Sequence, residues 1–250
     1  DITKIESDQL ALGEQVFDPV SLVQSCTAAH IDLAQKKELL LFSSIEPDVP
    51  TALRGDPGRI RQILTNLISN AIKFTLSGHI IVRLRIARSR SGHVTLLLQV
   101  SDTGVGISKE EQKSLFSPFY QIDANTHSVN GAGLGLSISA KLAVLMGSEI
   151  CVTSEKGLGS SFSLHLELPI VTDAPITPLP DLRNTRIYVQ SPHHELTDNL
   201  CQWLIKWGAQ ASTFEEAAVE SPNAILVCLN GYSSTPPLPK DSGMTRLNLG

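Results

Sequence analysis

The sequence has 250 residues and a mass of 27.0 kDa, and its 42% of hydrophobic residues exclude extended disorder and collagen-like order; at roughly 150 residues per domain, one large domain or two ordinary ones are expected. Twenty basic and 25 acidic residues give a net charge of −5, which argues against a nucleic-acid-binding protein, and no apolar run approaches the ~20 residues of a membrane-spanning helix. The four cysteines are far apart without a C-x-x-C pair, so structural zinc and a disulfide framework are disfavoured and a reducing compartment fits best.

The first part of the chain alternates helical and strand patterns. Residues 1–9 read as the end of a helix, so we expect the sequence to be a fragment that begins inside a larger helical segment. The pattern then predicts, in order, a helix over 22–34, a strand at 39–45, a helix at 57–74, strands at 78–87 and 94–101, a helix at 135–146, and strands at 148–154 and 160–168.

A proline-rich segment separates this part from a second unit. Residues 170–185 have the composition of a linker. Beyond it the pattern predicts a strand at 186–190, a helix at 195–207, a strand at 209–213, a short helix at 214–219 and a buried strand at 224–229. This order is typical of the first half of a doubly wound α/β domain, which we expect to stop or degrade after Pro239.

The 57–74 helix carries the first candidate site. Asp56 is a good N-cap and Pro57 a good first-turn residue. An apolar stripe covers one face, while Asn66, Asn70 and Lys73 share another face at about 100° per residue. An amide oxygen is a suitable Mg²⁺ ligand and a lysine suits phosphate oxygens, although these three residues could equally form an ordinary solvated face.

Two glycine motifs follow. Asp102 directly follows the predicted strand 94–101 and opens the run DTGVGI, where glycines allow the backbone to pass close to a ligand. Many ordinary turns share this pattern. Residues 131–136, GAGLGL, open a helix and could direct backbone N–H groups at an anion. A dinucleotide fingerprint is disfavoured, because no strand directly precedes Gly131.

The order of the motifs is more specific than any one of them. They are the Asn-bearing helix, DTGVGI at 102–107, LFSPF at 115–119, GAGLGL at 131–136 and GLGSSF at 157–162. In this order residues 12–169 closely resemble the ATP-binding domain of sensor histidine kinases. The segments IEPDVPTALRGDP and NLISNAIKFT look most similar to hybrid kinases of the Rcs-type phosphorelay.

The resemblance implies an α/β fold, a mixed sheet backed by three helices, with ATP between the Asn helix and a mobile lid. The implied ATP site comprises Asn70, Lys73, Asp102, Gly104, Gly106, Ile107, Phe119, Gly131, Gly133, Leu134, Gly135, Leu136 and Ser160. Asn70 would be the Mg²⁺ ligand, Lys73 would contact phosphate, and Asp102 would accept a hydrogen bond from the adenine amino group. Phe116 and Phe119 would anchor the near end of the lid, although plain packing explains these two rings equally well.

The residue at position 66, an asparagine, distinguishes ATP hydrolysis from phosphoryl transfer to a protein side chain. Hydrolysing ATPases of similar fold carry a glutamate there as the general base, which an asparagine cannot replace. The resemblance therefore implies transfer of the γ-phosphoryl group to a histidine on a separate dimerisation domain, with Asn66 and Lys73 as catalytic positions. The alternatives are a catalytically weakened ATP-binding or docking module, because the lid has no Arg or Lys and only His127, and a hydrolysing ATPase.

The domain organisation follows from the same resemblance. Residues 1–11 would end the phosphoacceptor and dimerisation helices, 12–169 would be the ATP-binding domain, and 186–250 a connector or degenerate receiver-like domain. His194 and Glu195 superficially match an acceptor motif but lie after the ATP-binding domain, so we interpret them as unrelated to it. Expected partners are the acceptor domain, downstream receiver and phosphotransfer domains, and a second copy through upstream helices, not nucleic acid. The fragment would be cytoplasmic and its parent anchored in the inner membrane.

Overall fold

The computed structural model describes residues 12–120, 133–172, 179–214, 224–229 and 245–249, and the chain divides into two compact units, 1–174 and 175–250. The helices of the described residues are α1 (Pro19–Ala28), α2 (Ile31–Gln35), α3 (Pro57–Phe74), α4 (Lys109–Ser114), α5 (Gly135–Leu145) and α6 (His194–Lys206). The strands are β1 (Gln15–Phe17), β2 (Leu40–Ile45), β3 (Leu53–Gly55), β4 (His79–Arg90), β5 (His93–Asp102), β6 (Ile150–Glu155), β7 (Gly159–Pro169), β8 (Arg186–Gln190), β9 (Gln210–Thr213), β10 (Ile225–Leu229) and β11 (Thr245–Leu249).

A five-stranded mixed sheet forms the centre of the first unit. Its order is β2-β4-β5-β7-β6; β2 pairs with β4 in parallel and the remaining neighbours are antiparallel. Helices α1, α3 and α5 contact the sheet through β2, β5 and β6 respectively. The predicted mixed sheet backed by helices is therefore confirmed.

Helix α3 shows how the sequence builds the core. The side chain of Asp56 accepts a hydrogen bond from the N–H of Arg59 at 3.0 Å and so caps the first turn. The apolar stripe of the helix is buried: Ile60, Ile63, Leu64, Leu67, Ile68, Ala71 and Ile72. Full burial of each large aliphatic side chain stabilises the fold by about 1.5–3 kcal/mol. This packing leaves the opposite, polar side of the helix for function.

Two features of the first unit were missing from the sequence pattern. Strands β1 and β3 form a separate antiparallel ribbon, and three residues each are too few to show a period of two. Helix α4 was also not predicted, although its capping box is visible in the sequence: Ser108 and Glu111 exchange side-chain to backbone hydrogen bonds of 3.3 and 2.7 Å.

The second unit contains a parallel sheet in the order β11-β10-β8-β9. This arrangement is that of the flavodoxin-like doubly wound order, with α6 in contact with β8 and β9. The pattern predicts no element beyond Pro239, whereas β11 pairs with β10. The predicted short helix at 214–219 falls almost wholly outside the described residues. None of the helices in the described part of the chain combines the length and apolar character needed to cross a bilayer.

Candidate functional site

The polar side of α3 presents three predicted site residues in three different environments. Asn70 is half-buried, and its amide makes no hydrogen bond with any residue that the structure describes. The Nζ atom of Lys73 lies 5.2 Å from the ring centroid of Phe74, a cation–π distance. Asn66 Nδ2 donates to Ser139 Oγ at 2.9 Å. Among the residues that the structure describes, the polar ends of Asn70 and Lys73 thus have no hydrogen-bond partner, whereas that of Asn66 has one.

Asn66 is engaged by helix α5. Its amide group fills the space beside Gly135, the first residue of that helix, so closely that a Cβ at Gly135 would collide with Asn66 Oδ1. Ser139, one turn further along α5, is almost fully buried. Asn66 therefore links the start of α5 to α3. No local sequence signal indicates this contact.

Asp102 is a half-buried carboxylate at the end of β5. Its Oδ1 accepts hydrogen bonds from the backbone N–H groups of Gly104 at 2.8 Å and Ser160 at 3.3 Å, which fix its orientation. Its Oδ2 accepts none from the described residues. Burial raises the pKa of this carboxyl, and the two N–H groups only partly oppose that effect. The arrangement offers one oriented oxygen to a hydrogen-bond donor.

The loop after Asp102 is pressed against the end of α3. The N–H of Val105 donates to the carbonyl of Phe74 at 3.3 Å, and a Cβ at Gly104 would lie 2.5 Å from the same carbonyl oxygen. Gly106 has φ +67° and a Cβ there would meet the backbone of Glu155. Glycine is thus required at both positions. Through these contacts the loop holds the end of β5, with Asp102, against the C-terminal end of α3.

Sequence reasoning missed a hydroxyl that organises this loop. Ser154 Oγ is buried; it accepts from the N–H of Ile107 at 2.8 Å, donates to the carbonyl of Gly159 at 2.8 Å and lies 3.0 Å from Ser160 Oγ. Gln112 of α4 donates to the carbonyls of Ile107 at 2.8 Å and Ser154 at 3.0 Å. A serine inside a strand gives no sequence signal of such a role.

The described ends of the segment between the Phe and Gly motifs lie side by side. The N–H of Phe119 donates to the carbonyl of Gly133 at 3.1 Å, and Phe119 is 73% exposed. Leu134 is the N-cap residue of α5 and Leu136, like Phe116, is half-buried. Gly131 lies outside the described residues.

A cavity of about 700 Å³ adjoins the loop and the β6–β7 turn. Three predicted residues line it, namely Asp102, Ile107 and Ser160, together with Ser154 and residues 108–109, 155–156 and 158–159. Asn70 and Lys73 do not line it. The structure thus places the described members of the predicted site in three locations: the polar side of α3, the end of β5 with its loop, and the start of α5 beside Phe119.

In the second unit, the carboxyl ends of β8 and β10 meet at Gln190 and Cys228, which are paired in the sheet. The thiol of Cys228 lies 3.7 Å from Gln190 Oε1. Within the described ranges, no group of three or more His, Cys, Asp or Glu residues is placed to hold a metal ion.

Residues 55–170 match the family of histidine kinase-, DNA gyrase B-, and HSP90-like ATPases. Sensor histidine kinase RcsC of Escherichia coli K12 is 43% identical over 169 residues, which are 67% of this chain and 17% of RcsC. Sensor histidine kinase GacS of Pseudomonas protegens is 38% identical over 216 residues, or 86% of this chain and 24% of GacS. The chain therefore spans only 17% to 24% of the length of these relatives.

Among solved structures, full-length ShkA in complex with AMPPNP aligns with a TM-score of 0.76 over 98% of this chain and 51% of ShkA, at 24% identity. At that identity the likeness shows a shared fold. With the geometry of α3 and of the loop after Asp102, these matches confirm the resemblance found in the sequence. Residues 55–170 are therefore a domain of the histidine kinase-, DNA gyrase B-, and HSP90-like ATPase family, and the relatives that the chain resembles there are sensor histidine kinases.

Proposed function

We propose that the first unit is the ATP-binding catalytic core of a hybrid sensor histidine kinase, which transfers the γ-phosphoryl group of ATP to a histidine on a separate dimerisation domain. One observation carries the proposal. The Phe74–Val105 hydrogen bond joins the end of α3 to the loop after Asp102, so a helix bearing Asn70 and Lys73 is fixed to a loop that follows an oriented carboxylate.

Each predicted residue has a role in this proposal. Asp102 would accept a hydrogen bond from the adenine amino group through Oδ2. Ser160, whose N–H holds Oδ1 of the same carboxylate, would lie near the adenine end. Lys73 supplies positive charge to the phosphates. Gly104 and Gly106 would let the backbone approach the nucleotide, and Phe119 would anchor the near end of the lid. The far end of the lid would hinge at three glycines, Gly131, Gly133 and Gly135. Ile107, Leu134 and Leu136 would be further contacts of the nucleotide.

The residues present fit a magnesium ion. Asn70 provides a hard amide oxygen that has no hydrogen bond with the described part of the chain. Mg²⁺ is commonly held by one or two protein oxygens, with waters and substrate phosphates completing its coordination. When bound, the ion would neutralise negative charge on the phosphates. Asn70 would hold it.

The proposed reaction requires an external nucleophile. Asn66 cannot accept a proton as a general base, and its amide is bound to Ser139. A neutral histidine nitrogen would attack the γ-phosphorus, the bond to the β–γ bridging oxygen would break, and ADP would leave with that electron pair. Phosphoryl transfer depends mainly on positioning and charge stabilisation, which Lys73 and an ion held by Asn70 would supply.

The wider assembly is part of the same proposal. The histidine would lie on a dimerising helical domain of the same protein, with receiver and phosphotransfer domains downstream. Residues 1–11 would end the acceptor helices, 170–185 would be a linker, and 186–250 a connector or degenerate receiver. The core would act in the cytoplasm and the parent would be anchored in the inner membrane. A weakened ATP-binding module is the second candidate, because the stretch between Phe119 and Gly131 contains no Arg or Lys.

The test measures binding first and transfer second. We expect calorimetry to show that a non-hydrolysable ATP analogue binds with Mg²⁺ and much less with EDTA. Asn70→Leu, which keeps side-chain size without the oxygen, should weaken Mg²⁺-dependent binding by about 10-fold or more, whereas Thr65→Leu on the exposed side of the same helix should not.

Transfer is then assayed with a supplied acceptor-helix domain and ATP, by detection of acid-labile phosphohistidine. Absence of Mg²⁺-dependent binding would contradict the proposed site. Binding without transfer to any cognate acceptor would leave the weakened module as the function. Rapid steady-state release of phosphate would instead identify a hydrolysing ATPase.

A further inference from the structure

The carbonyl groups at the C-terminal end of α3 accept hydrogen bonds from residues outside the helix. The last carbonyls of a helix lack partners within the helix and need others. The carbonyl of Ala71 accepts from the N–H and the hydroxyl of Thr75, at 3.0 and 2.6 Å. The carbonyl of Phe74 accepts from Val105. Two carbonyls in between, in the same turn as Lys73, remain to be satisfied from outside the helix.

Lys37 satisfies both. Its Nζ donates to the carbonyl of Ile72 at 2.7 Å and to that of Lys73 at 3.1 Å, and lies 3.5 Å from the carbonyl oxygen of Thr75. The ammonium group of an otherwise exposed lysine therefore makes two short hydrogen bonds to the last turn of α3 and lies within reach of the C-cap carbonyl. Such convergence on backbone oxygens distinguishes Lys37 from a lysine that only contacts water.

The turn that carries Lys37 has a fixed geometry. The N–H of Glu38 donates to the carbonyl of Gln35, and that of Leu39 donates to the carbonyl of Ala34. Glu38 has φ +57°, so the chain leaves α2 through a Schellman motif with a left-handed residue. The backbone of Lys37 is thereby held in place next to the end of α3.

We propose that Lys37 is a positioning residue for the nucleotide phosphates, acting through the last turn of α3. The inference rests on the proposed function. By holding the carbonyls of Ile72 and Lys73, it fixes the turn from which the Lys73 side chain extends. Its charge also offsets the negative end of the helix dipole, beside which a polyphosphate has to bind.

The two contributions predict a dependence on ligand charge. Without Lys37, the exposed carbonyl dipoles would repel a triphosphate more than a diphosphate and would hardly affect adenosine. A purely structural role would weaken all three ligands alike. The series ATP analogue, ADP and adenosine therefore separates positioning of phosphates from general support of the fold.

The experiment compares Lys37→Met, which keeps most of the stem but removes the charge, with Lys37→Arg and with Lys36→Met, a matched exposed neighbour. We expect Lys37→Met to weaken binding of the triphosphate analogue by about two- to fivefold, binding of ADP by less, and binding of adenosine hardly at all. Lys37→Arg should restore most of the affinity, and Lys36→Met should match wild type. In combination with Lys73→Met, the effect of Lys37→Met should shrink, because the two lysines act together.

Thermal unfolding without ligand accompanies each variant. An equal loss for all three ligands, or no loss in a folded Lys37→Met variant, overturns the inference while leaving the proposed ATP site intact. If Lys37→Met does not fold, Lys37→Gln replaces it with the same criteria. If the wild-type protein binds no nucleotide, the proposed function fails and this inference fails with it.

Discussion

Asp102 holds a negative charge where the protein environment disfavours it. Burial raises the pKa of its carboxyl above the ordinary value of 3.8, and hydrogen bonds from Gly104 and Ser160 only partly compensate. An asparagine would keep both backbone hydrogen bonds without the charge. A neutral side chain would avoid this cost, so the carboxylate is the feature that the proposed contact with adenine would require.

Asp102→Asn should separate stability from binding. The new amide would place an N–H donor where Oδ2 now stands, and in the proposed site this donor would face the amino donor of adenine. We expect affinity for ATP to fall by about 10- to 100-fold, the range for losing a hydrogen bond to a charged group, while the free energy of unfolding stays the same or rises. Calorimetry and urea unfolding test this, with Asp32→Asn on an exposed helix position as the control. Unchanged affinity would contradict the proposed role.

The raised pKa of Asp102 also predicts how the difference in stability between the wild type and Asp102→Asn changes with pH. Because the folded-state pKa is raised, the unfolded chain loses its Asp102 proton first, and the free energy of unfolding falls as the pH rises from 3.8 through the raised value. The Asp102→Asn variant has no carboxyl at this position and lacks this loss. The stability advantage of the variant should therefore be absent below pH 3.8, grow through that interval and then stay constant; an advantage that shrinks with rising pH would contradict it.

At the scale of elements, helices α3 and α5 approach each other closely where Asn66 meets Gly135 and Ser139. Gly135 has no room for a Cβ, because Asn66 occupies the space. Gly135→Ala should displace the amide of Asn66 and destabilise the fold by about 1 kcal/mol, because the hydrogen bond to Ser139 is lost. Asn66→Ala should cost about 1 kcal/mol, since it removes the hydrogen bond to Ser139.

The double variant decides whether these two residues share one contact. With Asn66 shortened, the new methyl group of Gly135→Ala has space and no hydrogen bond is left to lose, so the combined loss should fall short of the sum by about 0.5–1 kcal/mol. Asn66→Ala combined with Val144→Ala, an exposed position on α5, should be additive. Urea unfolding of the set provides the measurement, and additivity in the first pair would show that the contact does not form.

The elements also show what sequence reasoning can and cannot reach. Helix α3 was predicted with its observed bounds, because a cap, a first-turn proline and an apolar stripe all agree. The ribbon β1–β3 is too short for any periodicity. The binding of Asn66 to Ser139 and the three bonds made by Ser154 join positions far apart in the chain, and only the fold brings these together.

At the scale of the molecule, the two units contain sheets of different topology, and each topology is associated with a different kind of binding site. The first has the mixed sheet of an ATPase family to which residues 55–170 belong. The second has a parallel doubly wound order, in which ligands usually bind at the carboxyl ends of the strands. What stands at those strand ends therefore decides whether the second unit can itself accept a phosphoryl group.

The residues at these strand ends predict that the second unit cannot accept a phosphoryl group. A receiver requires carboxylates there to hold Mg²⁺ and accept phosphate, whereas β8 ends at Gln190 and its β10 partner is Cys228. The thiol is buried, and it lies next to an amide rather than a base. We expect incubation of the whole chain with acetyl phosphate and Mg²⁺ to add no phosphoryl group by intact-mass measurement, while a competent receiver treated in parallel gains one. A phosphorylated peptide from residues 186–250 would contradict the interpretation of this unit as a connector, and its position would identify the acceptor.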